Sequence, residues 1–246
     1  MPFNPFVPII CCALALAGCA VVPRETSGRV TTFPEDPIGP LVGGQDLRAN
    51  ARSFVAVVQA VEPVAEQECR ARNPRGNCDF NIVVDDRPNM PPNAFQTIDG
   101  AGRPIIAFTL SLIADVRNGD ELAFIMAHEA AHHIEGHLSR QQRNAMVGAA
   151  VFGRLAGAVG TNSPEAIRTA QELGAAVGAR TYSQDFELEA DALGTIIAAR
   201  AGFNPLVGAE FFFRIPDPGD RFLGTHPPNA ARVNVVRRTA ASVGYF

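Results

Sequence analysis

The sequence predicts a mainly helical α+β domain that contains one small β-sheet. Apolar residues recur at helical spacing in the long segments 46–72, 120–142 and 183–201. Between the first two of these segments lie short runs of strand-forming residues, separated by Gly and Pro, at 80–84, 94–98 and 103–109. The 246 residues, of which 47% are hydrophobic, are enough to bury a single core.

The first helix and the sheet follow from local signals. The helix is predicted from Asp46 to Arg72, with a bend or interruption at Pro63. Asp99-Gly100 separates the strands at 94–98 and 103–109, and this residue pair is common in hairpin turns. We therefore expect these two strands to form a β-hairpin.

The second half of the sequence is predicted to be helical. Asn118-Gly119 should precede one uninterrupted helix from Asp120 to about Gln142. The apolar segment 145–160 contains an arginine and is too short for a bilayer span, so we predict a tightly packed or mobile helix, with an interfacial segment as the alternative. Further helices are expected at 164–178 and 183–201, after Asn204-Pro205, and after 225–232.

The N-terminus resembles a bacterial lipoprotein signal. A short apolar run ends in L-A-G-C, Leu16 to Cys19, which is similar to a lipobox. We predict that residues 1–18 are removed, that Cys19 carries lipid, and that 19–45 tether a domain at 46–246. A buried N-terminal helix is the alternative, which the prolines of this segment disfavour. Ala20 follows the cysteine, and this resemblance favours the outer membrane, facing the periplasm.

The charge of the chain argues against one class of partner, and its cysteines predict a disulfide. The formal net charge is −4 and no Lys/Arg cluster occurs, so nucleic acid is not expected as a partner. Cys69 and Cys78 remain after the predicted processing at Cys19. In an oxidising compartment they are predicted to form a disulfide, with two free thiols as the alternative.

Residues 125–138, I-M-A-H-E-A-A-H-H-I-E-G-H-L, hold four of the five histidines. At about 100° per residue, His128 and His132 lie one helical turn apart and can share one metal ion. Glu129 lies one step round, where it is better aimed at a metal-bound water than at the metal. On a continuous helix, His133 and His137 point away from the metal face. We predict them to be surface or helix-end groups, with His137 able to bond a neighbouring loop.

A catalytic zinc needs a third protein ligand and an open position for water. E-L-E-A-D at 187–191 offers Glu187 as that ligand, and Asp191 on the same helical face to accept a hydrogen bond from a ligand histidine. Glu189 lies about 200° from Glu187 and is not expected to bind the metal. Two alternatives involve no metal. Residues 187–191 could form a solvated acidic face of a helix, and His128 and His132 could stack on an ordinary helix.

The motif H-E-A-A-H together with Y-S-Q-D-F-E-L-E-A-D-A-L-G resembles the HtpX-like and CAAX-prenyl-protease-like zinc metallopeptidases, closest to their small, lipid-anchored periplasmic branch. N-A-F, A-G-F-N-P and T-H-P-P-N-A-A-R also have counterparts in that family. The resemblance implies a zincin-type domain with its sheet beside the H-E-x-x-H helix. It also implies one Zn²⁺ held by His128, His132 and Glu187, as in gluzincins, with Glu129 as the base.

The resemblance also places His226 close to the metal. There it would act either as a hydrogen-bond donor to the oxyanion or as a fourth ligand that blocks the resting site, and the donor role is favoured. Arg232 is the reserve candidate for the donor.

The function implied by the resemblance is hydrolysis of peptide bonds in misfolded or misassembled cell-envelope proteins. The strand at 103–109 is expected to bind an extended substrate by strand addition. A non-proteolytic assembly factor or chaperone with an occluded zinc site is the alternative, although a structural site would have no use for Glu129. An enzyme that acts on a lipid-linked or cell-wall peptide is a further option.

Overall fold

The computed structural model describes residues 47–160, 163–217 and 226–246. Their elements, in chain order, are α1 (Leu47–Arg72), β1 (Asn81–Asp85), β2 (Ala94–Ile98), β3 (Pro104–Thr109), α2 (Leu110–Asp115), α3 (Gly119–Ile134), α4 (His137–Ala158), α5 (Pro164–Arg180), α6 (Ser183–Arg200), α7 (Pro205–Gly208), a 3₁₀ helix (Ala209–Phe213) and α8 (Asn229–Ser242). The predicted α+β class, mainly helical with a small sheet, is confirmed. The predicted signal, Cys19 and the tether lie outside the described residues.

The sheet has three strands in the order β1-β3-β2. β1 is parallel to β3, and β2 pairs with β3 as the predicted antiparallel hairpin, which is confirmed. Asp99 holds the turn, because its Oδ1 accepts hydrogen bonds from the backbone N–H groups of Ala101 and Arg103, each at 2.8 Å. β3 is paired on both sides, so the prediction that it binds a substrate strand is wrong. β2 is an edge strand.

α3 is the centre of the core. Eleven of its 16 residues are buried, and it packs between the sheet, α1 and α6. α6 approaches α3 closely at Gly194, where an added Cβ would lie 3.0 Å from the backbone N and Cα of His128. This close approach brings the face of α6 that carries Glu187 and Asp191 against the histidines of α3.

The helix predicted from Asp120 to Gln142 is broken. α3 ends at Ile134, and Gly136 adopts a φ of 66°, a left-handed conformation that glycine reaches at no steric cost. α4 then begins at His137, directly after this turn. The prediction of one continuous helix is therefore wrong, and so is the direction it implied for His137.

Two further features bear on the sequence predictions. Cys69, near the end of α1, forms a disulfide with Cys78, just before β1, with a Cα–Cα distance of 5.7 Å. The small-residue segment 145–160 falls largely within α4, which pairs with α5. Across the described ranges, no helix combines the length and apolarity that a bilayer span requires.

Candidate metal centre

Three side chains from two helices converge at the centre of the fold. The Nε2 atoms of His128 and His132 are 3.0 Å apart, and Glu187 places carboxylate oxygens 3.5 Å and 3.4 Å from them. These ligand atoms all lie within 4.8 Å of one another. Tetrahedral ligands of a zinc ion are separated by about 3.4 Å, so the three groups fit zinc both in geometry and in chemistry.

The buried carboxylates of the site stabilise a positive charge next to them. Burial opposes protonation of His128, but the Asp191 and Glu187 carboxylates outweigh it and raise the pKa of this histidine to about 10. Burial and the neighbouring His128 lower the pKa of His132 to about 3, so its ring is neutral. Despite burial, hydrogen bonds from His128 and His226 hold the pKa of Glu187 well below its usual range. The same carboxylates would attract a bound metal cation.

Glu129 lies beside these groups and faces the same cavity. Burial raises the pKa of its carboxyl above the ordinary value, while the charge on His128 and a hydrogen bond from the backbone N–H of Gln96 oppose this rise. Gln96 belongs to β2, so the Glu129 carboxylate lies next to the edge of the sheet.

The ring of His128 is held from behind by Asp191 and Arg232, which we call the inner support. His128 Nδ1–H donates to Asp191 Oδ1 at 3.0 Å, as the spacing of Glu187 and Asp191 predicts. Asp191 is fully buried, and Arg232 donates to both of its oxygens at 2.7 and 2.8 Å. Arg232, the reserve candidate for a catalytic donor, is thus a buried charge partner of Asp191.

The ring of His132 is held by His137, Glu189 and Arg140, which we call the outer support. With the His132 tautomer that leaves Nε2 free for a metal, Nδ1–H donates to His137 Nδ1 at 2.8 Å. His137 Nε2–H donates to Glu189 at 3.0 Å, and Arg140 donates to the same carboxylate. Phe186 stacks on the His137 ring at a centroid distance of 4.7 Å.

His137 stands at a helix end, the start of α4, as the sequence analysis allowed, but its burial and its contact with His132 were not predicted. His137 is buried, because the break at Gly136 turns the first residue of α4 back toward His132. The glycine two residues after α3 was the available signal. His133, in contrast, lies outside the site, where its ring bonds the backbone oxygen of Asn77 at 2.7 Å and contacts Phe80.

His226 reaches the site from the residues just before α8. Its Nδ1 lies 3.1 Å from Glu187 Oε2, and its side chain is 55% exposed, compared with 12% for Glu187. The ring therefore stands at the open side of the three converging groups.

A cavity of about 530 Å³ opens in front of these side chains. Its walls include the residues at the start of β2 on one side, and Phe211, Ile215 and His226 on the other. The cavity is continuous with the outer edge of the sheet.

The free edge of β2 faces this cavity. Asn93 accepts a backbone hydrogen bond from Thr109, and Asp99 donates one to Arg103, so odd-numbered residues of the strand pair with β3. The backbone groups of Ala94 and Gln96 consequently point away from β3, and the Gln96 N–H points to Glu129. An unpaired strand edge thus passes directly beside the candidate metal centre.

Comparisons with known proteins identify the family of the chain. A provisionally named beta-barrel assembly-enhancing protease of Vibrio cholerae serotype O1 is 32% identical over 142 residues, which is 55% of this chain and 28% of that protein. A beta-barrel assembly-enhancing protease of Escherichia coli O157:H7 is 31% identical over 137 residues, or 50% of this chain and 28% of that protein. The chain thus matches only about a quarter of the length of each relative. Residues 53–240 match Peptidase family M48, and the chain therefore belongs to this family of zincin-like metallopeptidases.

Proposed function

We propose that the protein is a zinc-dependent endopeptidase in which His128, His132 and Glu187 hold one Zn²⁺ and Glu129 is the general base. One observation carries the proposal: the three ligand atoms converge beside Glu129, at the point where the free edge of β2 passes. A structural zinc site is closed by four protein ligands and has no use for a neighbouring base.

Bound zinc would lower the pKa of its water from about 15.7 toward 7 and polarise the scissile carbonyl. Glu129 accepts the proton of the attacking water and then delivers it to the leaving nitrogen. A carboxyl whose pKa is raised by burial suits this exchange, because it can be reprotonated nearer to neutral pH. The Gln96 N–H keeps the carboxylate directed into the cavity.

The substrate is bound as an added strand on β2, in place of the β3 segment that the sequence suggested. The outward N–H and C=O of Ala94 and the outward C=O of Gln96 offer hydrogen bonds to an extended peptide, while the Gln96 N–H serves Glu129. Such contacts read the peptide backbone and place few demands on its side chains. The edge is therefore suited to unfolded segments of varied sequence.

We assign His226 the role of oxyanion donor. Its half-exposed ring, at the open side of Glu187, supports this assignment. His226→Ala should then lose roughly 100- to 1,000-fold in turnover and keep its zinc. A gain of activity would identify His226 as a blocking ligand, and an unchanged rate would exclude both roles. Arg232 stays the reserve candidate, because it lines the cavity and lies 3.5 Å from Glu187 Oε2, besides its buried bonds to Asp191.

The proposed substrates are misfolded or misassembled envelope proteins. The names of the two relatives support this substrate class, although the chain matches only 28% of each. We extend the proposal to a lipoprotein in which residues 1–18 are removed, Cys19 is acylated, and 19–45 tether the domain to the outer membrane on its periplasmic side. Mass spectrometry of the mature N-terminus tests the processing, since an unmodified Cys19 contradicts it.

Cleavage of a permanently unfolded polypeptide tests the activity. The purified protein should cleave it, lose activity on chelation and recover with Zn²⁺. Glu129→Gln should lose roughly 100- to 10,000-fold in turnover while its zinc content stays unchanged. Glu135→Gln is the matched control, because this carboxylate follows α3 but is not among the residues that line the cavity. Cleavage by zinc-loaded Glu129→Gln at the wild-type rate would contradict the proposal, and binding of the polypeptide without cleavage by the wild type would favour a chaperone.

A further inference from the structure

The hairpin of α4 and α5 has an outer face that no described element covers. Only His137 and Gly174 of its two helices are buried. The helices pack chiefly on each other, and α4 also meets α3 near the start of the hairpin. Because helices owe most of their stability to packing of an apolar face, an apolar surface left open here calls for a partner.

Large apolar side chains line this outer face. Val147, Val151, Leu155 and Val159 recur every fourth residue and are 63%, 54%, 58% and 73% exposed. α5 packs on a neighbouring sector of α4, where an added Cβ at Gly148 would lie 2.0 Å from the backbone oxygen of Gly174. The backbones of the two helices therefore touch at these glycines, while the four large apolar side chains remain exposed to solvent.

The same face is basic. α4 contains Arg140, Arg143 and Arg154 and no acidic residue, although the whole chain has a net charge of −4. At about 100° per residue, Arg143 and Arg154 fall within about 40° of Val147 on the helix circumference. Both arginines are exposed. Apolar side chains flanked by arginines are typical of helices that lie in the interface of an anionic bilayer.

We propose that the outer face of α4 binds an anionic phospholipid surface. Val147, Val151 and Leu155 insert beneath the phosphates, and Arg143 and Arg154 bind those phosphates. A second copy of the protein fits less well, because two such faces would bring their arginines together without acidic partners. An apolar and acidic protein surface is the remaining competitor, and the experiment below separates it from lipid.

A bilayer bound to α4 would lie close to the candidate metal centre. α4 spans about 33 Å and starts at His137, which contacts His132. A bilayer bound along α4 would therefore lie within one helix length of the cavity, whether or not a lipid is attached to Cys19. The proposal does not depend on the peptidase activity.

The test uses the chain from Ala20 onward, so that no acyl group contributes to binding. Residues 43–246 form one compact unit, so this trimming removes none of it. We expect the protein to sediment with vesicles of phosphatidylethanolamine and phosphatidylglycerol but not with phosphatidylcholine vesicles, and to be released by high salt. Absence of binding to the anionic vesicles, or equal binding to both kinds, overturns the proposal.

Two pairs of variants locate the surface. Val151→Asp with Leu155→Asp should weaken vesicle binding by about tenfold or more, whereas Val55→Asp, which is 52% exposed on α1, should leave binding unchanged. Arg143→Gln with Arg154→Gln should remove most of the salt-sensitive binding, and Arg75→Gln should not. If the double aspartate variant binds vesicles like the wild type, this surface is not the lipid-binding face. The proposal also fails if the wild type self-associates without binding vesicles and the double variant no longer self-associates.

Discussion

The inner and outer supports hold two similar histidines by different means. The inner support, Asp191 and Arg232, is a buried ion pair that connects α6 to α8 behind His128. The outer support reaches His132 through a neutral ring, His137, and ends in a partly exposed pair of Arg140 and Glu189. One of the two proposed ligands, His128, is therefore fixed by charge in the core, and the other, His132, by a hydrogen bond to the start of α4.

This difference predicts unequal costs when each support is removed. When a buried carboxylate loses its arginine, water cannot reach it to take the place of the arginine. An exposed carboxylate that loses its arginine is hydrated again. The inner support should therefore matter for folding and for metal binding, and the outer support mainly for metal binding.

The largest expected effect is on stability. Arg232→Ala should destabilise the metal-free protein by about 3–5 kcal/mol, because it removes two hydrogen bonds and a charge from the buried Asp191, which then keeps only its bond to His128. Arg140→Ala, the corresponding change in the outer support, should cost about 0–1 kcal/mol, since its pair with Glu189 is partly exposed. Denaturant unfolding curves measure both values, and equal losses would remove the distinction between the supports.

The next effect is on zinc affinity. Asp191→Asn should weaken zinc binding toward the upper end of the roughly 10- to 100-fold range for groups that orient a ligand histidine. Glu189→Gln should weaken it only a few-fold, because the amide oxygen still accepts the His137 N–H. Competition with a chelator of known affinity gives both constants. A larger loss in Glu189→Gln would reverse the assigned order.

A smaller effect should distinguish two neighbouring histidines. His137→Ala should reduce zinc affinity by about tenfold, because His132 loses the acceptor that fixes its tautomer. His133→Ala removes an adjacent imidazole that points to Asn77, and its zinc affinity should equal that of the wild type. His137→Asn keeps a short acceptor and should recover part of the loss. Equal affinities of the two alanine variants would show that His137 does not position His132.

The smallest effect concerns the break between α3 and α4. Gly136→Ala should destabilise the protein by about 1–2 kcal/mol, because alanine disfavours a φ of 66°. Gly157→Ala lies in open space within α4 and should stabilise it by about 0.5–1 kcal/mol. Thermal unfolding of the two variants should show shifts of opposite sign. A shift of the same sign would mean that the left-handed turn is not needed.

The sequence could predict the features that depend on spacing within one element or one turn. Spacing within one helix places His128 beside His132, and Glu187 above Asp191, because helical geometry fixes the angles between such residues. The hairpin of β2 and β3 was equally accessible through Asp99-Gly100. These relations are local, and the structure has them as predicted.

The remaining features depend on contacts that local patterns do not encode. The direction of His137 required recognition of the break at Gly136, and a helical periodicity that continued beyond it concealed the break. The order of the strands put β3 in the centre, and only pairing with β1 reveals this. The burial of Arg232 arises from α8 packing on α6, far away in sequence.

The zinc content of three purified proteins tests the central claim most directly. The wild type should carry about one zinc per chain, Glu189→Gln should carry the same amount, and Glu187→Gln should lose nearly all of it after dialysis, because a catalytic site relies on three protein ligands. Equal zinc in Glu187→Gln and Glu189→Gln, or none in the wild type after growth with added zinc, would contradict a centre built from His128, His132 and Glu187.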